Sequence, residues 1–217
     1  MKSPKSEAFY QLLKKLREKD VPIHGAGMQA HFNAAGTGLN RIPAPTCIRK
    51  QIKRIGELGL KVNISEMDVR VSKLPKNDVV EMKNGAKMNI KNYAQSEIYR
   101  DVLAAAFAEP AFDGIWFWGF TDKHTWVKNF YYEDQPLLFD SNYGKKESYY
   151  GVKEALNTLP KSGGTGSNIM KDDLEEDGNT WGYKWMQPDP QSKSKSREEL
   201  FNKEKKSGDD KPDWLQS

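Results

Sequence analysis

The chain has almost no cysteine. Cys47 stands alone, so no intrachain disulfide framework holds the fold; it reads as a plain thiol near a helix start. Histidine is nearly as scarce. His24, His31 and His124 are the three present, and their spacing matches no metal-ligand pattern. Neither a metal nor a cofactor is expected. No apolar run approaches the ~20 residues of a membrane-spanning helix, and the charged residues after Met1 show no signal peptide. The net charge of +4 comes with no nucleic-acid motif, and much of the lysine lies in the tail and on helix faces. Solubility explains that excess better than a nucleic-acid partner.

What is present centres on Asn63-Ile64-Ser65-Glu66-Met67-Asp68-Val69. It ends a run from Leu58 to Ile64 that reads as a buried parallel strand leaving a helix. Side chains alternate along a strand, so Glu66 and Asp68 point one way and Met67 the other. Two carboxylates at the C-terminal end of a βα strand are costly to bury, and that end carries the catalytic groups of α/β barrels. A solvated strand end with two incidental acids is the competing reading.

Two more blocks bear on the choice. The stretch 21–32, Val-Pro-Ile-His-Gly-Ala-Gly-Met-Gln-Ala-His-Phe, reads as one strand in which Gly25 and Gly27 allow close backbone packing. On that reading Gln29 and His31 share a face. The stretch 112–126 carries Trp118 to a strand exit, with Trp126 in the following loop. Sugar rings present flat apolar C–H faces, so tryptophans at the rim of a carboxylate-lined site suit a saccharide. A lone Trp is more often core, and Trp116 reads so.

These blocks, with Trp118-Gly119-Phe120-Thr121-Asp122, Thr125-Trp126 and Pro136-Leu137-Leu138-Phe139-Asp140, resemble the C-terminal half of glycoside hydrolase family 10, the endo-1,4-β-xylanase family, in its plant-like form. The blocks keep the family's order and gaps from about residue 6 to 159. The resemblance implies α/β architecture, a (β/α)8 TIM barrel, and retaining hydrolysis of internal β-1,4 bonds in xylan or a related polysaccharide. By position, Glu66 matches the family's nucleophile. His31 matches the histidine that hydrogen-bonds it, and Asp68 the acid that orients the histidine. Gln29 matches a residue lining the same subsite; Trp118 and Trp126 match the tryptophans walling the sugar. The chemistry agrees: a nucleophilic carboxylate must stay ionised, and an imidazole beside it favours that form. Gly119 and Asp122 read as structural, a close turn and a strand-exit cap. An extracellular or cell-wall location is the family expectation.

The departures are as informative. Retaining hydrolysis needs two carboxyl groups ~5–5.5 Å apart. In the family the acid/base glutamate follows an Asn at the end of the fourth strand, and no such Asn-Glu pair precedes Glu66. The first helix, over about 6–18, corresponds to the family's fifth. A barrel typically needs about 250 residues, and this chain has 217. The expectation is therefore a partial barrel over 1–160, fifth to eighth helix, that would need the N-terminal half-barrel as partner. Residues 161–217 read as a low-complexity flexible tail, with an aromatic stretch at 180–185 and a capping pattern at 196–201.

Within 1–160 the rhythm is a helix and then three βα units. Helices are expected over about 6–18 (with Phe9, Leu12, Leu13 and Leu16 at helical spacing), 46–58, 93–108 and 148–158, and loops over 31–45, from after Glu66 to about 88, and over 121–144. Three functions remain open: an incomplete family 10 glycosidase, a non-catalytic carbohydrate-binding remnant, and an unstable gene fragment.

Overall fold

The structure, a computed structural model, describes residues 4–36, 42–81 and 85–157. The readings at 161–217, including the aromatic stretch and the capping pattern, lie outside the described residues. Helix α1 (Pro4–Glu18) leads to strands β1 (Gly25–Met28) and β2 (His31–Asn33), then α2 (Pro45–Gly56) and the long β3 (Lys61–Arg70). A hairpin of β4 (Val79–Glu81) and β5 (Lys87–Asn89) precedes α3 (Ile90–Phe107) and β6 (Phe112–Phe117). A 3-10 turn (Asp122–His124), the short α4 (Val127–Phe130) and α5 (Glu147–Asn157) complete the described chain.

The sheet is parallel and centred on β3. Strand β1 pairs with its first half, Met28 opposite Ile64, and β2 with its second, His31 opposite Asp68. Strand β6 flanks the other side. Strand β3 is continuously apolar on the side met by α2 and α3: Val62, Ile64, Met67 and Val69 are all buried. Each such side chain contributes about 1.5–3 kcal/mol by leaving water. Under them lie Ile52 and Ile55 of α2 and Ile98, Tyr99, Val102 and Leu103 of α3. Proline at the start of α2 costs no helical hydrogen bond there, and Asn89 caps α3 by accepting from the Lys91 N–H.

Several expectations need correction. The stretch 21–32 is two strands, because Ala30 adopts φ 68° and interrupts the extended run. Alternation therefore does not tie Gln29 to His31. The loop expected from after Glu66 to about 88 holds instead the end of β3, to Arg70, and the β4–β5 hairpin. Helix α3 starts at Ile90, set by its Asn89 cap, rather than at 93. In α1 only Leu13 is buried; Leu12 is 51% exposed. This helix meets α2 rather than the sheet, through Arg54, which pairs with Glu7 at 2.8 Å and stacks 3.8 Å over the Tyr10 ring. Trp116 is not core: it is 57% exposed on the face of β6 away from α3.

The described residues form a mixed α/β unit and no closed barrel. Among them, β6 pairs only with β3, and β1 and β2 pair only with β3. The sheet thus ends in unpaired edges on both sides, with Trp116, Trp118 and Phe120 exposed along one of them. Unpaired edges beside apolar surface drive association. The 217-residue chain on its own is expected to sediment as a dimer or larger species, or to unfold without cooperativity. A monomer with a sharp unfolding transition, seen by analytical ultracentrifugation and denaturant titration, would contradict this.

Candidate active site

The site forms where β3 changes phase. From Ile64 to Met67 β3 advances three residues while β6 advances two, from Ile115 to Phe117. Against β1 and β2 it likewise runs four residues, Ile64 to Asp68, to their three, Met28 to His31. One extra residue is therefore inserted at Ser65–Glu66, a β-bulge. Burial follows: Ser65 and Glu66 are half-buried in succession between buried Ile64 and buried Met67. The bulge moves Glu66 and Asp68 off the face of Val62 and Ile64. The backbone there is held by Glu66 N–H donating to Gln29 O at 3.1 Å and Asp68 N–H to Ala30 O at 3.3 Å. The turned Ala30 delivers that carbonyl. Gly27 keeps room for Asn63, whose Oδ1 would lie 3.1 Å from a Cβ at position 27.

His31 lies between the two acids. Its Nε2 is 3.1 Å from Glu66 Oε2 and its Nδ1 is 2.9 Å from Asp68 Oδ2. The Asp68 side chain is fully buried, His31 nearly so, and Glu66 about a quarter exposed. Neutral imidazole donates from one nitrogen only, so with acceptors at both nitrogens the imidazolium fits best. Burial opposes its charge, but hydrogen bonding and charge from Asp68, and then from Glu66, outweigh it and raise the His31 pKa above 6.5. A buried carboxylate thus holds a cation against a second, more open carboxylate. Such an array can hold and aim the Glu66 carboxylate.

Two tryptophans flank the imidazole. The Trp126 ring centroid is 5.1 Å from that of His31, and Trp118 packs edge-on at 6.2 Å. Trp118 remains 47% exposed and can offer its face to a ligand. The structure therefore brings Glu66, His31, Asp68, Trp118 and Trp126 together. Gln29 joins through its backbone, and its side chain is exposed.

Asp122 is engaged elsewhere. It is buried, accepts the Leu137 N–H at 2.8 Å, and pairs with Lys146 Nζ at 2.8 Å. Burial pushes its carboxyl above the ordinary value, and Lys146 offsets part of that. Gly119 makes the expected close turn: at φ 134° a side chain would be strained, and its Cβ would meet Leu137 Cδ1 at 2.7 Å. Sequence reasoning missed Lys146, which also donates to the carbonyls of Gln135 and Leu137. It missed Asp134 too, which accepts the Val71 and Ser72 N–H groups and pins the end of β3. Both look like ordinary loop charges in sequence.

The family model described as "Glycosyl hydrolase family 10" matches residues 1–155. The chain is 35% identical over 153 residues to Endo-1,4-beta-xylanase B of Thermotoga neapolitana, covering 70% of this chain and 39% of that one. It is 34% identical over 160 residues to an endo-1,4-beta-xylanase of Geobacillus stearothermophilus, covering 68% and 43%. The crystal structure of xylanase 10B from Thermotoga petrophila RKU-1 in complex with xylobiose superposes with a TM-score of 0.60 at 35% identity, over 71% of this chain and 42% of that one. The chain spans about two fifths of the length of these relatives.

The buried array makes stability depend on pH. A histidine with a raised folded pKa stabilises the fold fully below 6.5, its ordinary value. That contribution is lost as pH rises through the folded value. In a barrel completed with an N-terminal half from the matched family, denaturant titrations from pH 5.5 upward, to about 8, should show stability falling across that window, and His31→Gln should flatten the dependence. A slope that survives His31→Gln would contradict the charged-imidazole assignment.

Proposed function

The chain belongs to glycosyl hydrolase family 10, and on that premise we propose that it supplies the nucleophile side of a retaining endo-1,4-β-xylanase. Residues 1–160 are the C-terminal half of its (β/α)8 barrel, and xylan or a related β-1,4-linked polysaccharide is the substrate. The observation that carries this reading is the Glu66–His31–Asp68 array at the C-terminal end of a parallel strand, flanked by Trp118 and Trp126. Catalytic groups of such barrels sit at that end.

In this mechanism His31 holds Glu66 through Oε2, and Oε1 attacks the anomeric carbon. The bond to the leaving sugar oxygen breaks as that oxygen takes a proton from an acid/base carboxyl. The glycosyl ester on Glu66 is then hydrolysed by water, with the acid/base now acting as base. Retaining geometry needs that second carboxyl ~5–5.5 Å from the first. Asp68 is consumed by His31, and Asp122 by Lys146 and the Leu137 N–H. The acid/base therefore belongs to the complementary half-barrel, whose strands would also pair with the open edges of β1 and β6. Trp118 and Trp126 wall the sugar, and the exposed Gln29 side chain takes a hydroxyl.

Two measurements test this. The 217-residue chain alone should hydrolyse xylan negligibly, because general acid catalysis contributes roughly 10²–10⁴-fold; family-like rates would overturn the assignment. A barrel completed with a family N-terminal half should turn over. Glu66→Ala in it should abolish turnover, and added azide should restore bond cleavage with a glycosyl azide of inverted configuration. His31→Ala should be less damaging than Glu66→Ala, and Asp68→Asn milder still. Azide rescue of Asp68→Asn alone would make Asp68 the nucleophile.

A further inference from the structure

Asp68 is buried with an asymmetry the mechanism leaves unused. Two N–H donors converge on the same oxygen, Oδ2: His31 Nδ1 at 2.9 Å and Trp126 Nε1 at 2.6 Å. The other oxygen, Oδ1, is buried with no hydrogen-bond partner. The terminal torsion of an aspartate is broad, so a single donor from His31 leaves the carboxylate free to rock. A second donor, from a different element, removes that freedom. Trp126 is itself fixed: its ring contacts His31, Phe130 at 5.5 Å and Tyr131 at 5.8 Å, and the Arg70 guanidinium sits 4.4 Å over Tyr131.

We propose that Trp126 is a positioning residue as well as a wall of the sugar subsite. Its indole N–H clamps Asp68 Oδ2, so the aromatic loop after β6 sets the orientation of His31 and, through it, of Glu66. This rests on the assignment of Glu66 as nucleophile. A ring that only stacks on sugar needs no such bond to the one fully buried carboxylate of the array. The bond is also short for N–H···O, as expected with a charged acceptor.

The test uses the barrel completed with a family N-terminal half, without substrate, ¹⁵N-labelled at tryptophan and histidine. The ionisable groups that act on the imidazole are Asp68 and Glu66 of β3. Tyr99 of α3, which feels the Asp68 charge, has a pKa well above its ordinary value. Tyr99 therefore stays neutral up to pH 9, so a titration shared by Trp126 and His31 reports their common link to Asp68. The Trp126 indole N–H resonance is expected to move with the midpoint of the His31 ring. Replacing Trp126 by benzothienylalanine keeps the ring shape and puts sulfur where the N–H was. It should raise the His31 midpoint by about 0.5–1 pH unit, because Oδ2 no longer shares its charge with a second donor. Trp126→Phe should move it the same way. An indole resonance that stays flat through the His31 titration overturns the proposal without any variant, as does an unchanged midpoint in the benzothienyl protein. Failure of the nucleophile assignment would appear separately, as turnover by Glu66→Ala in the completed barrel.

Discussion

A fully buried carboxylate organises this site. Asp68 has no solvent to stabilise its charge, and an unpaired buried charge would cost several kcal/mol. Donors from two other elements meet that need: an imidazole from β2 and an indole from the loop after β6. Each donor then has little freedom of its own. His31 must turn its far nitrogen toward Glu66, and Trp126 must lie against His31. The arrangement of the candidate nucleophile follows from the burial of a neighbour two residues away.

The fold provides that burial through one inserted residue. Without the bulge at Ser65–Glu66, strict alternation would put Glu66 and Asp68 on the face of Val62 and Ile64, against α2 and α3. With it, apolar residues before and after the bulge both meet the helices, and the two acids face the open side. Gln29 and Ala30 accept the backbone N–H groups on either side of Met67, which holds the bulged strand in register. Lys146, Asp122 and Asp134 do comparable work just beyond the strand ends. Asp134 ties the segment after β6 to the exit of β3, and Asp122 and Lys146 brace that segment on itself.

Much of this was legible in the chain. The pairing of Glu66 with Asp68, the approach of His31 and the emergence of both tryptophans follow from strand alternation and from resemblance to family 10. Other features were not legible, for physical reasons. A bulge is a mismatch between neighbouring strands, and no single strand's sequence shows it. The break at Ala30 needs a positive φ in a residue that rarely adopts one. The β4–β5 strands are too short for a period to stand out, and α3 begins at a cap that looks like an ordinary loop asparagine. Trp116 reads as core because most tryptophans are. Here the face it occupies is open among the described residues. The bond between Trp126 and Asp68 joins positions far apart in sequence, and only the folded geometry reveals it.

The central claim is that Glu66 forms the covalent bond to sugar. The most direct test is to treat a barrel completed with a family N-terminal half with a 2-deoxy-2-fluoro-β-xylobioside bearing a good leaving group, which slows breakdown of the glycosyl ester. Intact mass should rise by one fluoroglycosyl unit, and peptide mapping should place it on Glu66. A label on Asp68 or on any other carboxylate would contradict the account, as would turnover without any trapped ester.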